Sequence, residues 1–159
     1  MDTPKHIVLV ADDDESTRNI IVKFLAKMDY SYVTATDGLD ALEKVRENKF
    51  DAVITDIKMP KMDGIDLAMA ISRYCPGVPV MIATGYGEEY SVRSALSVGA
   101  LEYIQKPFSF FELSIRLRKM IENSEMLQRM KTENREEKGV EGLKKELEQV
   151  LGTEGDHQT

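Results

Sequence analysis

The chain reads as an α/β domain built on a doubly wound parallel sheet of five strands, with helices on both faces. Three observations predict it. Short apolar runs recur along the first two thirds: Ile7-Val8-Leu9-Val10, Ala52-Val53-Ile54-Thr55, Val80-Met81-Ile82-Ala83 and Tyr103-Ile104-Gln105. Between them lie stretches whose apolar residues repeat at helical spacing, and strands that alternate with helices imply a parallel sheet joined by right-handed crossovers. The runs also end on polar residues, in order Asp12-Asp13-Asp14-Glu15, Asp56, Thr84 and Lys106. In an open parallel sheet, ligands gather outside the carboxyl ends of the strands, so these ends can converge on one site.

The elements follow in order. Residues 6–11 predict the first strand. Ile20, Ile21, Phe24, Leu25 and Met28 then mark a helix whose acidic start suits the positive end of the helix dipole. Tyr32-Val33-Thr34-Ala35 is a short second strand closed by the turn pair Asp37-Gly38, and Ala41, Leu42 and Val45 mark the second helix. Residues 51–56 form a third strand, apolar along nearly its whole length and so suited to burial on both faces. The loop from Lys58 to Gly64 carries Pro and Gly breakers before a third helix with Ile65, Ala68, Met69 and Ile71, which ends at Pro76-Gly77-Val78-Pro79. Strand four is expected at 79–84, a fourth helix around Val92, Ala95 and Leu96, and strand five at 101–106 after Gly99. Ser109 is a plausible N-cap for the last helix.

Composition bounds the class. A hydrophobic fraction of 42% with 31% charged residues over 159 positions is ordinary for a globular domain. No apolar run approaches the ~20 residues of a membrane-spanning helix, and the start Met1-Asp2-Thr3-Pro4-Lys5-His6 lacks the regions of a signal peptide. Cys75 is the single cysteine, which rules out an internal disulfide, favours a reducing, cytoplasmic setting, and reads as a small apolar filler near a helix end. A net charge of -7 argues against direct nucleic-acid binding, which needs a concentrated basic surface.

Past about residue 123 the character changes, so residues 1–123 are taken as one domain and 124–159 as a charged helical linker or tail. Leu113, Leu117, Met120 and Leu127 keep a heptad-like spacing that can carry the last helix beyond the domain. Lys131 and Asn134 turn that seam polar, Gly139 and Gly142 interrupt it, and Val140, Leu143, Leu147 and Val150 form a second short stripe. A partly disordered extension is as well supported as a dimerisation helix, and Gly152 to Thr159 is expected to be disordered.

Asp12, Asp13 and Asp56 brought together would repel unless a cation lay between them. Two or three carboxylates with a carbonyl and waters make the incomplete oxygen shell that Mg²⁺ accepts while leaving room for a phosphate oxygen. Any one strand-end Asp is more often a helix cap. The weight comes from Thr84 and Lys106 ending the neighbouring strands, with Pro107 able to hold the turn that aims the ammonium.

With Asp12-Asp13, Asp56, Met62-Asp63-Gly64, Thr84, Tyr103 and Lys106-Pro107-Phe108 in order, residues 5 to 123 resemble bacterial two-component response-regulator receiver domains. The resemblance implies the flavodoxin-like strand order 2-1-3-4-5, an order already known for members of this group, which sets strands one and three side by side. It implies that Asp56 is the phosphoacceptor, taking the phosphoryl group from a sensor histidine kinase or phosphotransfer protein. Asp13, Asp56 and the backbone carbonyl of Lys58 would bind Mg²⁺, with Asp12 acting through water, and Lys106 would supply further positive charge. Thr84 would hydrogen-bond the phosphoryl group, and its inward movement would let Tyr103 turn from exposed to buried. Two routes to a homodimer are on offer, one through helix four, strand five and helix five and the other through the C-terminal helix, beside a monomer that binds a separate partner.

Two other readings stay open. An aspartate-nucleophile phosphohydrolase would usually carry a carboxylate two residues after Asp56, where this chain has Lys58. A flavodoxin-like nucleotide or flavin binder would need a Gly-rich or Ser/Thr-rich phosphate loop after strand one, where acids stand instead. Lys58, Gly85 and Tyr86 occupy positions that vary within the receiver family; Lys58 and Tyr86 are long enough to lie over the acceptor. His6 and His157 are not placed to donate a phosphoryl group, and the chain is either a stand-alone regulator or the front of a longer protein.

Overall fold

The computed structural model describes residues 5–85, Gly87, Arg93, Leu96, Ser97, Gly99 and 102–155. In order they form β1 (Ile7–Ala11), α1 (Glu15–Lys27), β2 (Ser31–Ala35), α2 (Gly38–Glu47), β3 (Ala52–Asp56), α3 (Gly64–Tyr74), β4 (Val80–Thr84), β5 (Glu102–Gln105) and a C-terminal helix, Phe110–Gly155. The five strands are all parallel, in the expected order β2-β1-β3-β4-β5. Of the fourth predicted helix, Leu96 is helical and exposed, while Val92 and Ala95 lie outside the described residues, as do Tyr86 and Leu101.

Alternation along the central strands explains two cores. Val8, Val10, Ala52, Ile54 and Met81 face α1 and the C-terminal helix, where Ile21, Leu25, Leu113, Leu117 and Ile121 are buried. Leu9, Val53 and Ile82 point to the other face, against Ala41 and Val45 of α2 and Leu67, Ala68 and Ile71 of α3. Each fully buried Leu or Ile contributes roughly 1.5–3 kcal/mol of burial free energy, so both faces are needed to hold the sheet. Cys75 packs half-buried against the second of these cores.

Side chains cap the helix starts. Asp14 accepts from the Thr17 N–H and hydroxyl, Asp37 from the Asp40 N–H, Asp63 from the Asp66 N–H and Ser109 from the Glu112 N–H. Each bond satisfies a donor that the helix itself leaves unpaired.

The chain divides into two compact units, Met1–Ser124 and Glu125–Thr159. The expected heptad seam divides with it. Leu113, Leu117 and Met120 are core residues of the first unit, whereas Leu127 is exposed. A helix lying on a sheet has nearly the same apolar period as a coiled-coil seam, and Leu113, Leu117 and Met120 serve the sheet. In the second unit the helix continues through Gly139 and Gly142 to Gly155, the helical alternative for this extension, and contrary to the expected disorder from Gly152. A glycine costs about 1 kcal/mol in a helix, and the surrounding Glu, Lys, Arg, Gln and Leu residues are strong enough helix formers to offset it. Residues 156–159 lie outside the described residues.

Candidate functional site

Register builds the site. Ala11 pairs with Thr55 across β1 and β3, so Asp12 and Asp56, each one residue further on, leave neighbouring strands side by side. Thr84 ends β4 opposite Gln105, and its carbonyl accepts from the N–H of Lys106 at 2.7 Å. Asp12 is 1% exposed and Thr84 3%.

The Lys106 ammonium lies 3.2 Å from Asp12 Oδ2 and 3.3 Å from Asp56 Oδ1, and thus joins the two strand-end carboxylates. The Lys106-Pro107 peptide is cis. Asp12 Oδ1 accepts from the Asp14 N–H, and Asp56 Oδ1 from the Ile57 N–H at 2.8 Å. Asp13 is exposed, yet a carboxylate oxygen from each of Asp12, Asp13 and Asp56 lies within 4.8 Å of the others. Asp13 and Lys58 line one shallow pocket together with Met59 and Pro60, while Gly85 and Lys106 line another with Phe108.

Electrostatics follow from this crowding. Burial pushes the Asp56 carboxyl above its ordinary range; Lys106 opposes that, Asp12 adds to it, and the Ile57 N–H opposes it again. Burial alone would lower the Lys106 ammonium, but Asp12 and Asp56 more than offset it and hold the group above its usual value. Of the three clustered carboxylates, Asp12 and Asp56 share the Lys106 ammonium, and the negative charge of the cluster suits a further cation.

Thr84 and Tyr103 sit on adjacent strands. The Thr84 hydroxyl donates to the Ile104 carbonyl at 3.4 Å, and Tyr103 is 40% exposed at the sheet edge. Asp12, Asp13, Asp56, Thr84 and Lys106 therefore gather at the carboxyl end of the sheet, Lys58 borders them, and Tyr103 stands on β5. Several supporting residues were not anticipated. Arg18 donates to the Asp12 carbonyl at 2.9 Å, and the buried Thr55 hydroxyl donates to the Asp56 carbonyl. Gly64 donates to the Ile57 carbonyl at 2.7 Å, and a Cβ there would collide with the Asp56 carbonyl oxygen. Gly64 was legible as a loop breaker and as the end of Met62-Asp63-Gly64, but its close approach to Asp56 was not, because a sequence does not show which backbone approaches it.

The family model for the response regulator receiver domain matches residues 8–122, and the chain belongs to that family. Phosphoryl acceptance in two-component signalling is the function of the family, and response regulators partner with histidine kinases. The chain is 39% identical over 126 residues to the transcriptional regulatory protein ZraR of Klebsiella oxytoca, covering 79% of this chain and 28% of the relative. It is 33% identical to the alkaline phosphatase synthesis transcriptional regulatory protein PhoP of Bacillus subtilis, covering 75% of this chain and 50% of the relative. The chain thus spans between about a quarter and a half of the length of these relatives. Among solved structures, a response regulator receiver domain protein from Clostridium thermocellum superposes with a TM-score of 0.73 at 33% identity, over 77% of this chain and 98% of that one. Among the described residues no helix is long and apolar enough to cross a membrane.

Proposed function

We propose that Asp56 is the phosphoacceptor of a receiver domain that acts in the cytoplasm, loaded by a sensor histidine kinase or phosphotransfer protein. The observation that carries this reading is the Lys106 ammonium shared by Asp12 and Asp56, with Asp13 in the same carboxylate cluster. An Asp56 carboxylate oxygen attacks phosphorus, a P–O bond forms as the P–N bond to the donor imidazole breaks, and the imidazole leaves with that electron pair. The transition state is loose and carries charge on its equatorial oxygens, so positioning and charge neutralisation dominate. Lys106 supplies one of the positive charges on the protein's side.

The donor set fits Mg²⁺. Asp12, Asp13 and Asp56 each bring a carboxylate oxygen within 4.8 Å of the others, and oxygen donors of this kind are what Mg²⁺ takes. Asp13, Asp56 and the Lys58 carbonyl would hold the ion, and Asp12 would contribute through water. When bound, Mg²⁺ neutralises the carboxylates and the developing phosphoryl charge. The same groups serve the domain in its own phosphorylation and dephosphorylation. Thr84 takes a phosphoryl oxygen by its hydroxyl, and the space it vacates admits Tyr103, which couples the site to the face formed by β5 and its helical neighbours. Self-association through that face, or through the C-terminal helix, is the readout that such coupling would serve. No direct nucleic-acid contact is assigned to this acidic chain.

Incubation with acetyl phosphate and Mg²⁺, followed by intact-mass measurement, tests the assignment. One phosphoryl adduct is expected on the parent and none on Asp56→Asn, whose amide is a poor nucleophile of similar shape. A stable adduct on the variant would place the acceptor elsewhere.

A further inference from the structure

At the edge of β5, Arg116 of the C-terminal helix is tied to Tyr103 from several directions. Its guanidinium carbon lies 6.0 Å from the centroid of the Tyr103 ring, and Nη1 donates to the Tyr103 carbonyl at 3.3 Å. Two carboxylates fix the guanidinium there: Glu102 Oε1 at 3.1 Å from Nη1 and Glu112 Oε1 at 3.4 Å from Nε. Glu102 Oε1 also accepts from the Tyr103 N–H at 3.0 Å, closing a loop of contacts around this one residue.

We propose that Arg116 is a positioning residue that holds the Tyr103 ring in its exposed orientation and so biases the domain towards its unloaded state. The inference rests on the reading of Thr84 and Tyr103 as a coupled pair. Turning inward takes the ring off the guanidinium. Arg116 cannot follow, because Glu102 on the strand and Glu112 one helical turn before it keep it at the surface. The lost ring–cation contact therefore counts only against the inward orientation, and a differential contact of this kind is what shifts a two-state equilibrium. With the Arg116 side chain 40% exposed, the contact belongs at the weaker end of such interactions.

The test uses the full chain with fluorotyrosine, the Tyr103 resonance being identified by its absence in Tyr103→Phe, and beryllofluoride with Mg²⁺ as the probe. Arg116→Ala is expected to move that resonance towards its loaded position before any probe is added. It should also lower the beryllofluoride concentration at half-saturation by about two- to fivefold, the range of an exposed ring–cation contact. Arg116→Lys keeps a cation at the ring and should stay near the parent, a rescue that simple loss of packing would not give. A parent-like resonance and saturation in Arg116→Ala, or weaker saturation, would overturn the latch while leaving the switch in place. If loading leaves the Tyr103 resonance of the parent unmoved, the coupled-pair reading falls and the latch with it; if the parent takes up no beryllofluoride, the phosphoacceptor reading falls first.

Discussion

At Asp56 the group needed for chemistry is one that the metal-free fold holds at a disadvantage. Its folded pKa is raised, first by burial, so ionisation disfavours the native state. That disadvantage is fully present above the raised folded value and disappears as pH falls below the unfolded value of about 3.9. In EDTA, Asp56→Asn should therefore melt at a higher temperature than the parent near pH 7, and the gap should narrow as the buffer is taken down through the acid range. Equal melting at pH 7, or a gap that widens on acidification, would contradict the burial argument. These acids and Lys106 were legible because they stand directly after apolar runs. The neighbours that hold them, Arg18 on the Asp12 carbonyl and Thr55 beneath Asp56, carry no mark in a single sequence, since each acts on a backbone atom brought near by folding.

Whole elements were easier to read than their junctions. Apolar alternation and helical spacing placed all five strands to within a residue or so, and Ser109 caps the last helix as expected. The seam Leu113, Leu117, Met120, Leu127 does carry the last helix past Ser124, but its spacing could not show that the first three of these residues pack in the core while Leu127 is exposed, because one period serves both a sheet-packed helix and a coiled coil. The junction of β3 and α3 is tightly packed: the start of α3 lies against the last peptide of β3 at Gly64. Gly64→Ala should lower stability by roughly 1–3 kcal/mol in urea unfolding, the usual range for forcing an extra methyl group into a packed contact. Phosphorylation by acetyl phosphate should slow with it, as the displaced peptide belongs to Asp56. A variant with parent stability and rate would mean that α3 can shift without disturbing the strand end.

At the scale of the whole molecule, a loaded site has to be read out through a surface. The buried residues of both cores end at Ile121, so a chain cut after Ser124 keeps all of them. The second unit has an exposed stripe, Val140, Leu143, Leu147 and Val150. Sedimentation of the full and truncated chains, each with and without beryllofluoride, is expected to show association that depends on the mimic and survives truncation. A mimic-independent dimer abolished by truncation would instead assign self-association to that stripe, and monomers throughout would favour a separate partner. The parallel sheet has a consequence for how the molecule comes into being. The Lys106 and Asp12 that meet in the site are 94 residues apart in sequence, and the Ile7–Asp51 bond beside the central strand pair spans 44. Closing such distances must precede any reward from the contacts, which places this topology among the slower folders of its size. No early fragment of the chain contains the site, and a nascent polypeptide that has not yet emerged past Lys106 cannot bring its acids and its ammonium together.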